Sequence, residues 1–181
     1  VTYEPWEEVS SSGTVTITTD SSSTPTLDIG GPISITLWIR PQADDPEGKA
    51  TTTAPMAKAL STASPSWSYQ VRYGWNSPKP YMAFTFNTSP RAWAYVGQKL
   101  TKGEWSHIAC AHDGTTLKCY LDGIERDSTP MGKITSSPAP VLIGSDGWGC
   151  DWIGGIDEVA IYNRALSAAE LAAMRNLPVG I

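Results

Sequence analysis

Short stretches that alternate apolar and polar residues recur about every 10–15 positions along this chain of 181 residues, with turn chemistry between them. The clearest is Ile33-Ser34-Ile35-Thr36-Leu37-Trp38-Ile39-Arg40, followed by Pro41. Successive side chains of a strand point to opposite faces, so Ile33, Ile35, Leu37 and Ile39 form one wholly aliphatic face that must be core. Ser34, Thr36 and Trp38 form the other face, polar apart from one aromatic. Residues 14–18, 69–73, 81–86, 92–96 and 141–144 have the same β-branched or aromatic character, and a shorter strand is expected near 55–59 within the loop-rich stretch 42–66. Residues 105–112 and 117–121 read as a hairpin about Asp113-Gly114-Thr115-Thr116. This spacing predicts an all-β antiparallel sandwich or barrel, not a βαβ fold. One helix is expected near Ser167, whose hydroxyl can cap it while Glu170 completes a capping box, and it ends before Pro178.

The length suits one β-rich domain, expected over residues 13–181 behind a lead-in of residues 1–12. With 40% hydrophobic and 17% charged residues the chain can bury a sizeable core. A net charge of -5, a pI near 4.9 and no cluster of Lys and Arg argue against nucleic acid as a partner. No run approaches the roughly 20 apolar residues of a membrane span. The chain opens on Val1 with no secretion signal of its own, so it is expected to be part of a longer polypeptide whose export signal lies upstream. Of three cysteines, Cys110 and Cys119 fall opposite each other if 113 pairs with 116, which leaves a cross-strand disulfide and a pair of buried thiols both open. No Cys/His spacing suggests zinc.

Catalytic constellations are missing from the pattern. A glycoside hydrolase needs two carboxylates facing each other across a cleft. Asp157 and Glu158 are adjacent and so face opposite sides of a strand, and no Glu-x-Asp-x-x-Glu exists. Asp44, Asp45 and Glu47 sit in a Pro/Gly loop as solvated charge. His107 and His112 lie five apart in one strand, on opposite faces. Gly144-Ser145-Asp146-Gly147 precedes no helix and is not a nucleophile elbow. The sequon at Asn87-Thr88-Ser89 is flanked by Pro90 and is expected to be idle.

The segments 27–30, 33–41, 103–109, 113–123, 143–144 and 154–171, the last running Gly154-Gly155-Ile156-Asp157-Glu158-Val159-Ala160-Ile161-Tyr162-Asn163-Arg164-Ala165-Leu166-Ser167-Ala168-Ala169-Glu170-Leu171, resemble in order and content a bacterial laminin-G-like domain of the concanavalin A-like lectin/glucanase type. The resemblance spans most of residues 14–175 and is loose over 42–100. It implies a two-sheet jelly roll, an extracellular or cell- or virion-surface setting, and no transferable catalytic residue. Trp38 and Trp105 match the framework and are expected to pack. The resemblance implies a structural calcium, carried by many relatives. Asp157, expected to share the inward face of its strand with Val159 and Ile161, needs a partner there, for which calcium, backbone amides and His107 are the candidates. Asp20, near where relatives often carry an acid, would be a calcium co-ligand.

Eight Trp and seven Tyr against two Phe leave several indoles unexplained by that framework. Trp and Tyr join a broad apolar face to a polar edge, which suits sugar rings and polar interfaces alike. Three aromatic–polar clusters are therefore candidate glycan contacts: Tyr73, Trp75 and Asn76; Arg91, Trp93 and Tyr95; Trp148, Asp151 and Trp152. Trp67 also lies beside a turn. For any single indole, covering a loop or a small satellite core is the plainer role. The leading expectation is a non-catalytic carbohydrate-binding module, against a structural or protein-interaction domain and, third, a free-standing hydrolase or lyase.

Overall fold

The computed structural model describes residues 15–17, 27–42, 53–74 and 82–176. Among the described residues, eleven strands form two antiparallel sheets. They are β1 (Val15–Ile17), β2 (Ile33–Pro41), β3 (Thr53–Ala59), β4 (Trp67–Tyr73), β5 (Ala83–Phe86), β6 (Ala92–Tyr95), β7 (Ser106–His112), β8 (Thr116–Leu121), β9 (Ile124–Pro130), β10 (Val141–Ile143) and β11 (Gly154–Tyr162). One sheet runs β1-β10-β3-β4-β5-β6 and the other β11-β2-β7-β8-β9, which is a jelly-roll sandwich. The expected all-β architecture is the one observed.

The alternation seen in the sequence builds the core. Ile33, Ile35, Leu37 and Ile39 of β2 are fully buried and meet Tyr69, Val71, Phe84 and Phe86 of the opposing sheet. Tyr73 and Trp152 belong to the same cluster, at 3% and 6% exposure, their rings edge-on with centroids 5.6 Å apart.

The other face of β2 is covered. Ser34 and Thr36 are buried beneath the segment that follows β11. The Ser34 hydroxyl donates to the Arg164 carbonyl (3.0 Å) and accepts from the Leu166 amide (2.9 Å). Leu166 and Leu171 then pack on Ala109, Ala111 and Tyr120. The helix α1 (Ala168–Met174) that carries Leu171 has the expected capping box: Ser167 Oγ accepts from Glu170 N–H while Glu170 Oε2 accepts from Ser167 N–H. This terminal segment needs a surface for its leucines, and the small residues of β2 and β7 supply it.

Two further differences concern strand ends. β9 has no counterpart in the sequence reading because its residues are mostly exposed and present no apolar face. Its one local signal is Asp122-Gly123, both at positive φ (52° and 77°), as a two-residue hairpin turn requires. In β11 the register shifts between Asp157 and Ala160, and Glu158 sits at φ 49°. Asp157 therefore stands opposite Trp38, on the face of β2 away from Ile35 and Ile39, while Ile156, Val159 and Ile161 pack toward the core. The expectation that Asp157 points inward with Val159 and Ile161 is corrected by that bulge.

Gly155 shows how tightly the end of β11 is packed: a Cβ there would lie 2.6 Å from the Trp105 indole. Arg40 covers the same indole, its guanidinium carbon 5.1 Å from the ring centroid. Trp38 leans on His107 with centroids 5.4 Å apart, so both framework tryptophans pack. Cys110 and Cys119 are directly opposed in the β7–β8 register, as expected, and both are buried free thiols. Burial pushes the Cys119 thiol up to about 12 and the Cys110 thiol well above its ordinary value.

Two outcomes follow from this framework. Replacing the buried Trp152 with alanine is expected to destabilise the fold by about 3–5 kcal/mol in urea unfolding, the usual cost of removing a large core aromatic. In the β7–β8 turn, Asp113 Oδ1 accepts from the Thr115 amide and hydroxyl and from the Thr116 amide, which holds its carboxyl at about 2 against 3.8 unfolded. A depressed carboxyl stabilises the fold above the unfolded value, and that contribution disappears as pH falls from about 4 through 2. Melting temperature is expected to drop across this window, and less steeply in Asp113→Asn.

Candidate functional site

The candidate site lies on the outer face of the six-stranded sheet. With Tyr69, Val71, Phe84, Ala92 and Ala94 turned into the core, period two directs Gln70, Arg72, Thr85, Trp93 and Tyr95 to the outer face. Gln70, Thr85 and Trp93 lie in one row, Gln70 opposite Thr85 and Thr85 opposite Trp93. Over this row lies a cavity of about 210 Å³ with Gln70, Arg72 and Thr85 among its lining, bordered by Trp67, Arg91, Trp93 and Trp148.

Trp148 arrives from the loop after β10, and a buried ion pair sets that loop in place. Asp146 is fully buried; its Oδ2 accepts from Arg72 at 2.8 Å, and its Oδ1 accepts from the backbone amides of Trp148 (2.8 Å) and Cys150 (3.1 Å). A buried carboxylate is tolerable when its lone pairs are filled in this way. Gly147, at φ 76°, lets the backbone pass close over Leu142, where a Cβ would lie 3.1 Å from Cδ1. Trp148 is left 41% exposed at the cavity.

Arg72 Nε also donates to Gln70 Oε1 at 2.7 Å, which fixes the amide so that its NH₂ is the remaining polar group. Thr85 is 1% exposed and its hydroxyl has no hydrogen-bond partner among the described residues. Beside it, the Arg91 guanidinium carbon lies 4.8 Å from the Trp67 ring centroid and 5.8 Å from that of Trp93. Trp93 in turn stacks on Tyr95, centroids 6.3 Å apart and planes 12° from parallel. Burial first, and then the Asp127 carboxylate, raise the Tyr95 phenol above its ordinary value.

Of the sequence-derived candidates, Arg91, Trp93 and Trp148 converge on this cavity and Tyr95 supports Trp93 from behind. Tyr73 and Trp152 do not: both are core, and Trp152 Nε1 donates to the Gly155 carbonyl at 3.2 Å. Asp151 is half-buried, bridges to Ala54 and does not line the cavity. Trp75, Asn76 and Asp20 lie outside the described residues, as do Asp44, Asp45 and Glu47. The sequence reading left out Gln70, Arg72 and Thr85, named Trp67 only as an indole beside a turn, and met Asp146 only in a segment set aside as no nucleophile elbow. The first two could have been found as the polar phase of β4, whose other phase is Tyr69 and Val71.

Asp157 lies on the other sheet and its Oδ1 accepts from the Glu158 amide at 2.8 Å. Among the described residues no three His, Cys, Asp or Glu side chains come together as a metal cage. A cation at Asp157 would draw its remaining oxygens from carbonyls, water or residues outside that set. His107 and His112 face opposite sides of β7, His107 against Trp38 and His112 opposite Ile33 of the core strand. Burial lowers the His107 pKa. Asn87 of the sequon donates its side-chain amide to the Trp67 carbonyl at 2.9 Å, which leaves it engaged in the fold.

With the geometry in place, comparison with known proteins is informative. A search of curated proteins finds no match. Among solved structures the chain is similar to domain 4 of AbnA, a GH43 extracellular arabinanase from Geobacillus stearothermophilus solved in complex with arabinotriose, with TM-score 0.61, 22% identity, and 83% of this chain and 69% of that one covered. It is similar also to the native heptameric SAP-like pentraxin from Limulus polyphemus, with TM-score 0.59, 15% identity, and 83% and 73% covered. The binding domain of Paraclostridial Mosquitocidal Protein 1 superposes with TM-score 0.62 at 15% identity, over 81% of this chain and 37% of that one. At these identities the likeness is one of fold. The model of the concanavalin A-like lectin/glucanases superfamily, in its laminin-G form, matches residues 10–172. The chain belongs to the concanavalin A-like lectin/glucanase superfamily.

Proposed function

We propose that this chain is a non-catalytic carbohydrate-binding module of a larger extracellular protein, holding a saccharide in the cavity over β4, β5 and β6. One observation carries the reading: three indoles, Trp67, Trp93 and Trp148, border one small cavity that is also lined by a buried, unpartnered Thr85 hydroxyl. Indole faces stack on the apolar faces of a sugar ring, while Thr85 and the Gln70 amide meet its hydroxyls. At about 210 Å³ the cavity is smaller than the roughly 300–1,000 Å³ of a site that engulfs a small molecule, so it suits a single ring of a longer glycan.

The likeness to an arabinanase domain solved with arabinotriose supports this class of ligand. Several features support a binding role over hydrolysis. Among the described residues no carboxylate lines the cavity, and Asp146 beside it is committed to Arg72 and two amides, so no described pair of acids there matches a glycosidase's. No helix among the described residues is long and apolar enough to cross a membrane.

Calcium at Asp157, with Asp20 as co-ligand, is a separate proposal. If it holds, chelation lowers the melting temperature of the wild type and not of Asp157→Asn; an equal response in both removes it.

The central test is a glycan array followed by titration calorimetry. Trp93→Ala is expected to weaken the best ligand by roughly tenfold or more, about 1.4 kcal/mol, and Trp148→Ala by less, with melting temperatures unchanged. A wild type inert across plant, algal and microbial glycans would favour the structural or protein-interaction reading.

A further inference from the structure

Among the described residues, the cavity carries one cationic group whose charge no carboxylate answers. Arg72 is neutralised by Asp146 at 2.8 Å and spends its Nε on Gln70. Arg91 has no such partner. Its guanidinium makes no hydrogen bond or ion pair with a described residue, and its contacts are with the Trp67 and Trp93 rings, 4.8 and 5.8 Å from the centroids. The two indoles hold the planar group at the cavity edge, so its N–H fork is oriented before any ligand arrives. Counting Arg72, Arg91 and Asp146, the site is net positive on a chain of formal charge -5. A neutral sugar would leave that fork to water; a carboxylate would fill it with two parallel charge-assisted bonds.

We infer that the saccharide bound over β4–β6 is an acidic one, a uronic acid residue whose carboxylate pairs with Arg91 while its ring lies on Trp93. The inference rests on the proposed carbohydrate-binding role and narrows it to a ligand class. Thr85 and the Gln70 amide then take ring hydroxyls, and Trp148 closes the outer side. Attraction of a carboxylate to an exposed guanidinium weakens with salt, whereas stacking does not, so the two contributions separate experimentally.

The test titrates the full chain with oligogalacturonate, oligomannuronate, oligoguluronate and glucuronoxylan fragments, and with the same oligosaccharides after reduction of each carboxyl to the neutral sugar. Neutral arabinan, xylan and β-glucan fragments and a sulfated galactan complete the set. Expected is binding of at least one uronate roughly tenfold or more tighter than its reduced counterpart, with the gap shrinking at 0.5 M salt on screening grounds. Arg91→Gln removes the gap without shifting the melting temperature, and Arg91→Lys restores part of it. Equal affinity for acid and reduced forms, or a gap that survives Arg91→Gln, overturns the inference and leaves the carbohydrate-binding role standing. Preference for the sulfated galactan over every uronate also overturns it. Binding to no saccharide at all defeats both.

Discussion

Everything in this molecule hangs on the strict alternation of side chains across two stacked sheets. Burying Ile33, Ile35, Leu37 and Ile39 against Tyr69, Val71, Phe84 and Phe86 removes the large apolar surfaces from water. The same rule then dictates what the opposite faces carry. On β4, β5 and β6 it forces Gln70, Thr85 and Trp93 outward in one row with Arg72 beside it, so the candidate site is the geometric complement of the core. A one-residue slip in β4 would exchange Val71 for Arg72 and destroy both together.

The two outer faces meet different fates, and this decides where function can reside. On the β2 side the chain's own C-terminal segment lies down, satisfies Ser34 twice and buries Leu166 and Leu171. On the β4 side the covering element is a loop that stops short of the sheet, held up by Asp146. That carboxylate is tied at three points, to Arg72 and to two backbone amides of the loop. Sheet and loop are thereby joined through one buried charge pair, and Trp148 is set over the cavity as a consequence.

Most of the architecture was legible in the sequence because the core strands advertise themselves by period and by β-branched content. β9 was not, since an edge strand of Glu125, Arg126 and Asp127 has no buried face to leave a pattern. The bulge in β11 was invisible for another reason: an extra residue at Glu158 reverses the phase of Asp157 without altering composition. The site was half legible. Indoles near turns marked Trp93 and Trp148 but equally marked Trp152, whose neighbours Tyr73 and Gly155 draw it into the core. Whether an indole is rim or core depends on which loop folds over it, and that is decided by long-range partners such as Arg72 and Asp146, 74 positions apart.

One detail of the seam between β6 and β9 has a wider implication. Tyr95, on the last strand of its sheet, donates its amide to Asp127 Oδ2 at 3.0 Å, and its carbonyl accepts from the Cys119 thiol at 3.1 Å. Both backbone groups that a passing strand would seek are already occupied by side chains of the facing sheet. The Tyr95 end of that border is therefore closed to strand addition. Copies of this domain crowded together would not zip edge to edge at that point.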